Sequence, residues 1–149
     1  MGNVLKKSKR FEPVKQLAEN KEAAAAVQMG QSFQAQEDSL GQLEKLRGYR
    51  ADYVAQFKTK GESGMPAARL LEYQAFVQKL DGAIEEQIKT VQQTRVKANE
   101  HQQAFRKTNS RKKIVNKLIS KSKQQEQAIQ DRQEQNEADD RSFKKPRIA

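Results

Sequence analysis

The sequence predicts an all-α fold, a long antiparallel coiled coil of two helices that forms a helical hairpin. The 149 residues are only 35% hydrophobic, 32% charged and without tryptophan, so they are too polar to fill a globular interior. Apolar residues recur at alternating spacings of three and four along two long stretches, as in coiled coils. One short glycine- and proline-containing segment separates the stretches, and a short loop between long amphipathic helices makes them antiparallel.

The first half of the chain predicts a basic flexible arm over residues 1–12 and a first helix over residues 13–57. Pro13 suits the first turn of a helix, where its missing N–H is not needed. The apolar seam of this helix is of mediocre quality because polar residues interrupt it. A homo-oligomeric coil is therefore an alternative, since such a seam could accept a third strand. The predicted seam residues are Ala26, Met29, Phe33, Leu40, Leu43, Val54 and Phe57.

Residues 58–66 predict the turn, because two glycines, a serine and a proline fall within nine residues. Pro66 is suited to open the second helix, with Ser63 as a cap just upstream. The second helix is predicted over residues 67–140 and has the better heptad pattern. Every seventh residue is apolar in the series Leu70, Val77, Ile84, Val91, Ala98 and Phe105.

The C-terminal part of the second helix is predicted to be basic and without a partner in this chain beyond about residue 110. Apolar residues are scarce there, and an unpaired helix in water must be polar on all sides. Residues 141–149 are expected to be a flexible tail, since Pro146 ends any helix that reaches it.

Near the turn, both helices carry more apolar residues than one seam needs. Two stripes share the spacing i, i+4, i+7, i+11. They either broaden the intramolecular core or form a partner site, and their position at the same end of the hairpin favours partner binding. The stripes are Gln42, Leu46, Tyr49 and Tyr53 on the first helix, and Phe76, Leu80, Ala83 and Gln87 on the second.

The net charge of +10 is concentrated between residues 106 and 123, which hold eight basic residues and no acid. Three interpretations are open: a solvated face, a docking surface for an acidic protein, or a nonspecific nucleic-acid site. The segment lacks the interleaved aromatics on which bases stack, so we consider nucleic acid an unlikely partner. The predicted basic docking surface comprises Arg106, Lys107, Arg111, Lys112, Lys113 and Lys117.

Nothing in the sequence predicts catalysis, so we expect no enzyme, cofactor, metal site or small-molecule substrate. There is no cysteine, and His101 is the one histidine, which makes a poor metal site by itself. No apolar stretch approaches the ~20 residues that span a bilayer. We therefore expect a cytoplasmic protein that meets membranes only through partners. A basic helical protein that binds nucleic acid or membrane surfaces is the alternative.

Two segments resemble the FliJ family of the bacterial flagellar type III export apparatus. They are Tyr49-Arg-Ala-Asp-Tyr53 and, after the turn, residues 73–87 (YQAFVQKLDGAIEEQ). The resemblance covers roughly residues 10–105 and is sharpest over 42–87. Tyr-x3-Tyr alone means little, but followed by a turn and the second segment it is moderately specific.

The resemblance implies a hairpin similar to the central stalk of rotary ATPases. It also implies three partners: the hexameric export ATPase, whose pore receives the coil's end, the cytoplasmic domain of the export gate membrane protein, and export chaperones. The implied location is cytoplasmic, peripheral at the inner face of the cell membrane. Gln87 departs from the family pattern, in which a histidine is expected. The implied gate-binding positions are Gln42, Leu46, Tyr49, Tyr53, Phe76, Leu80 and Ala83.

Overall fold

The computed structural model describes residues 6–144, and these residues form helices without any strand. The helices are α1 (Lys7–Arg10), α2 (Glu12–Gly61) and α3 (Ala67–Lys144). Helices α2 and α3 pack against each other as a hairpin, which confirms the predicted all-α fold. The chain divides into two compact units. The turn unit is Ala25–Phe105, and the terminal unit combines described residues 6–24 with 106–144.

The turn between α2 and α3 is shorter than predicted, because α2 continues to Gly61. Gly64 has φ +91°, a left-handed conformation that glycine adopts without steric cost. The Ser63 hydroxyl donates to the carbonyl of Lys60 at 3.0 Å, so it closes the end of α2 and does not cap α3. The carbonyl of Pro66 accepts the first amide bonds of α3, from Arg69 and Leu70.

In the turn unit, the seam of α3 follows the predicted heptad. Val91 and Ala98 are buried, and Val77, Ile84 and Phe105 are half-buried. The exception is Leu70, which is exposed in the first turn of α3. The seven-residue period thus locates the face of α3 that packs on α2.

The seam of α2 in the turn unit differs from the prediction. Phe33 and Leu40 are exposed, whereas Ser32 and Ser39 are buried. The apolar residues nearer the turn set the register between the two helices. Their seven-residue period, continued towards the start of α2, reaches Ser39 and Ser32. The register residues are Leu43, Leu46, Tyr53 and Phe57.

Hydrogen bonds satisfy this polar stretch of the seam. The hydroxyls of Ser39 and Thr94 lie 2.8 Å apart across the helices. The side-chain amide of Gln87 donates to the carbonyl of Ser39 at 2.8 Å. Among the described residues, no buried side-chain nitrogen or oxygen lacks a partner, as packed interiors require.

In the terminal unit, part of the expected flexible arm is helical. Residues 7–10 form α1, and α2 begins at Glu12 with Pro13 in its first turn. Ser8 is buried, and its backbone N–H and hydroxyl both donate to the carboxylate of Glu126. The rest of the predicted arm, residues 1–5, lies outside the described residues.

The prediction that α3 has no partner beyond about residue 110 was wrong. Glu22 accepts hydrogen bonds from Asn109 at 2.8 Å and from Lys112 at 3.0 Å, and Ile119 is buried. The heptad of α3 continues past Phe105 as Lys112, Ile119 and Glu126. Its polar members pair by hydrogen bonds, which a search for apolar periodicity does not detect. Residues 131–143 are all exposed. Helix α3 reaches Lys144, and residues 145–149 of the predicted tail lie outside the described residues.

Candidate partner-binding surface

Four aromatic rings join the two helices beside the turn. Phe57 and Tyr73 stack with ring centroids 3.5 Å apart and planes at 11°. Tyr53 stacks on Tyr73 at 5.5 Å and meets Phe76 at 4.4 Å with the planes at 53°. Offset-stacked and tilted aromatic pairs with centroids about 4.5–7 Å apart stabilise a structure beyond the area that they bury, and the two contacts of Tyr53 are of this kind. The cluster therefore fixes the helices where the predicted partner site begins.

The eight residues predicted for the partner site divide into two groups by burial. Leu46, Tyr53, Leu80 and Gln87 are half-buried in the seam. The other four are exposed, including Tyr49 at 59% and Phe76 at 43%. Half of each stripe therefore broadens the core, and the other half is surface. The exposed residues are Gln42, Tyr49, Phe76 and Ala83.

The four exposed residues lie on one side of the turn unit. Each immediately precedes a seam residue in the chain, as Gln42 precedes Leu43 and Phe76 precedes Val77. Positions that precede the seam face the same side of both helices when the helices run antiparallel, and the contact between Tyr53 and Phe76 is made on that side. We call Gln42, Tyr49, Phe76 and Ala83 the aromatic flank.

On the opposite flank of the turn unit, Asp81 forms an ion pair with the seam residue Arg50. The hydrogen bond to Asp81 is the main cause that raises the pKa of the Arg50 guanidinium above its ordinary value. Both side chains are partly exposed, and such pairs contribute little to stability. The pair therefore shows that the two flanks differ in surface character: the opposite flank is charged, whereas the four residues of the aromatic flank are uncharged.

A groove continues the aromatic flank towards the turn, with a volume of about 160 Å³. Gln56 and Arg69 line it, and they lie seven residues from Tyr49 and Phe76 respectively. Neither residue is among those predicted from the sequence, although extending each stripe by one heptad reaches both. The full lining is Tyr53, Gln56, Phe57, Lys60, Met65, Arg69, Glu72 and Tyr73.

The predicted basic docking surface also divides into two groups. Lys112 is half-buried and pairs with Glu22 at 3.0 Å. The hydrogen bond from Lys112 is the main cause that lowers the pKa of the Glu22 carboxyl. The remaining cations are exposed, and they surround the solvent side of α3, because neighbouring helical positions point about 100° apart. These cations are Arg106, Lys107, Arg111, Lys113 and Lys117.

A comparison with protein families matches residues 7–146 to the flagellar FliJ protein family. The chain belongs to the FliJ family. The match includes the segment beyond residue 105, which the resemblance in the sequence did not reach. Searches of curated proteins and of solved structures find no match. As a member of the FliJ family, the chain is a component of the flagellar export apparatus.

Two further properties of this FliJ-family chain concern membranes and metals. Within residues 6–144, no helix is long and apolar enough to cross a membrane. The same residues contain no group of histidine, cysteine and carboxylate side chains that could hold a metal ion. His101 is half-buried at a seam position and lines a recess with Ser32 and Thr94, so it serves helix packing.

Proposed function

We propose that the chain is a non-enzymatic stalk of the flagellar type III export apparatus. It couples the hexameric export ATPase to the export gate and escorts export chaperones. In this role it lies at the cytoplasmic face of the cell membrane and contacts the membrane only through partners. Membership of the FliJ family supports the export role, and the aromatic flank is the observation that carries the assignment to the gate.

The aromatic flank has the character of a protein interface. Tyr49 keeps 59% of its surface exposed on a chain that is one-third charged. Tyrosine is enriched among the few interface residues whose truncation costs about 2 kcal/mol or more. Phe76 has little flexibility to lose on binding, because the ring of Tyr53 contacts it from the facing helix. The cytoplasmic domain of the gate protein is the partner that the family resemblance implies for these positions.

The exposed cations of the terminal unit support a second contact, with the export ATPase. The five exposed members of the basic docking surface surround α3 on its solvent side. A ring of positive charge attracts an acidic protein surface at long range and speeds association with it. Such contacts permit repeated release, as a stalk that couples two machines requires.

Calorimetric titration of the full chain into the purified cytoplasmic domain of the gate protein tests the proposal. Tyr49→Ala and Phe76→Ala should each weaken binding by at least about tenfold, with unchanged helicity by circular dichroism. Leu71→Ala is the matched control, because Leu71 is 66% exposed and follows the seam instead of preceding it. Equal loss in all three variants, or none, contradicts the assignment.

The exposed cations also favour the alternative, a basic helical protein that binds nucleic acid or membrane surfaces. Binding of that kind weakens steeply as salt rises. Submicromolar affinity for DNA or anionic vesicles at about 150 mM salt, without affinity for the gate domain or the ATPase, would favour the alternative.

A further inference from the structure

The terminal unit contains an apolar groove that no residue of the aromatic flank enters. Its volume is about 160 Å³, and its walls are mainly aliphatic. Leu17 is 54% exposed at the groove, and nearby Ile114 on α3 is 58% exposed. These exposed apolar side chains lie in the most basic part of the chain, and they do not stabilise the charges of the neighbouring cations. The lining comprises Val14, Leu17, Ala18, Lys21, Thr108, Arg111 and Val115.

The groove lies on one flank of the terminal unit. Lys21 precedes the seam residue Glu22, and Arg111 precedes Lys112, so both project to the same side of the antiparallel pair. Residues three or four positions apart share a helix face, which places further exposed apolar side chains beside them. We call this set the apolar flank: Val14, Leu17, Lys21, Arg111, Ile114 and Leu118.

Both flanks of the terminal unit carry cations, as Lys9 and Lys123 do beside a groove of the opposite flank, but the flanks differ in their acids. The opposite flank includes acids, since Glu19 lines one of its grooves and Glu12 another. Glu22 and Glu126 are engaged by partners in the seam. Up to residue 123, there is no acid in the apolar flank or at the positions that extend it along the same side of each helix at the same heptad spacing. Their cations are Lys7, Arg10, Lys21, Lys107, Arg111 and Lys121.

We propose that the apolar flank binds an acidic amphipathic helix of a partner protein as a third strand. The groove between two packed helices accepts the apolar ridge of another helix. Acidic side chains along the edges of that helix would pair with Lys21 and Arg111 on either side of the groove. The proposal uses no residue of the aromatic flank and does not depend on which export components the chain binds.

The shape of the flank distinguishes a helix from a membrane surface. Val14, Ala18 and Val115 line a recess between α2 and α3. A ridge of leucine side chains on a helix can enter this recess, whereas a flat lipid surface reaches only the outermost atoms. Charge alone would suit either partner, so the concave apolar wall decides in favour of the helix.

Fluorescence anisotropy with the full chain tests the proposal, using a labelled three-heptad peptide as the probe. The peptide has leucine at its seam positions and glutamate on both sides of them, and a second peptide has lysine in place of each glutamate. At about 150 mM salt, the chain should bind the glutamate peptide at least about tenfold more tightly than the lysine peptide. Leu17→Ser should weaken that binding by at least about tenfold.

A pair of charge variants distinguishes binding in the groove from nonspecific electrostatic attraction between the basic chain and the acidic peptide. Arg111→Ala and Lys113→Ala remove the same charge from exposed positions of α3, but Lys113 follows the seam and lies on the opposite side. Arg111→Ala should weaken peptide binding several-fold more than Lys113→Ala. Equal effects of the two variants would overturn the proposal.

Three other results would also overturn the proposal. One is no binding of the glutamate peptide. The second is binding to anionic phosphatidylglycerol vesicles without binding to the peptide. The third is a dimer of the chain in light scattering that Leu17→Ser dissolves, since a second copy would then occupy the groove. If Leu17→Ser lowers helicity, Ile114→Ser replaces it, because Ile114 is the more exposed of the two.

Discussion

Glu126 accepts two hydrogen bonds from Ser8, one from the backbone N–H at 2.9 Å and one from the hydroxyl at 2.7 Å. The bond from the backbone N–H is the main cause that lowers the pKa of the Glu126 carboxyl, followed by the hydroxyl bond. These bonds attach α1 to a distant part of α3. Ser8 is the buried residue of α1, so this polar contact holds the start of the described chain against α3.

Replacing Glu126 with alanine should detach α1 without unfolding α2. The amide of Ser8 would lose its acceptor, so hydrogen exchange over residues 7–11 should become faster while the turn unit keeps its protection. Glu134→Ala is the matched control, since Glu134 is exposed and its carboxylate accepts a bond from Gln130 on the same helix. Unchanged exchange at Ser8 in the Glu126 variant would refute this role.

The terminal unit should lose stability in acid. The pKa values of Glu22 and Glu126 are lowered below the ordinary value of 4.5 in the folded state. Their stabilising contributions are therefore fully present above pH 4.5 and are lost as the pH falls through the lowered values. Hydrogen exchange of residues 7–24, followed from neutral pH towards about pH 3, should show faster opening after correction for the intrinsic rate.

A double variant provides the control for this acid effect. Glu22→Gln with Glu126→Gln removes both titrating groups, so the terminal unit should be weaker at neutral pH and should change less in acid. The same acid-induced opening in the double variant as in the wild type would show that other groups are responsible.

Tyr49 and Tyr53 should affect stability differently, although they lie only about one helical turn apart on α2. Tyr53 contacts both Tyr73 and Phe76, so Tyr53→Ala should lower the free energy of unfolding by about 1–2 kcal/mol. Tyr49 is mainly exposed, so Tyr49→Ala should change it by less than about 0.5 kcal/mol. Urea denaturation followed by circular dichroism measures both values. A larger loss for Tyr49→Ala than for Tyr53→Ala would place Tyr49 in the core.

Ser32 marks a position where the seam of α2 can be strengthened. It is buried, and its hydroxyl donates to the carbonyl of Met29 on its own helix. Ser32→Leu should fill the adjacent recess beside Thr94 and raise the free energy of unfolding by about 1 kcal/mol. Gln34→Leu is the control at an exposed site and should give no gain. A lower melting temperature in Ser32→Leu would mean that the recess cannot accept the larger side chain.

The sequence predicted the parts of the fold in which apolar residues keep a strict period. The α3 heptad from Val77 to Phe105 is of this kind, and the structure confirms it. Where polar residues occupy the seam, apolar residues do not repeat with the heptad period, so the seam could not be predicted. The sequence predicts Phe33 and Leu40 in the seam, where the structure has Ser32 and Ser39. It also predicts an unpaired segment beyond about residue 110, where the structure has a paired one.

Only part of the candidate partner site was predicted from the sequence, and the reason is related. Spacing placed Gln42, Tyr49, Tyr53 and Phe76 near the turn, but spacing alone does not say which side chains the facing helix covers. That division depends on the register between α2 and α3, which Ser39 and Thr94 fix through hydroxyl groups that no apolar pattern contains.

Site-specific photo-crosslinking in cells shows whether the aromatic flank binds the export gate. A photoreactive amino acid is placed at Gln42 on the aromatic flank or at Arg47 on the opposite flank, both of which are exposed. We expect a crosslink to the gate protein from position 42 and none from position 47. A crosslink from position 47 alone, or equal crosslinks from both, would contradict this expectation.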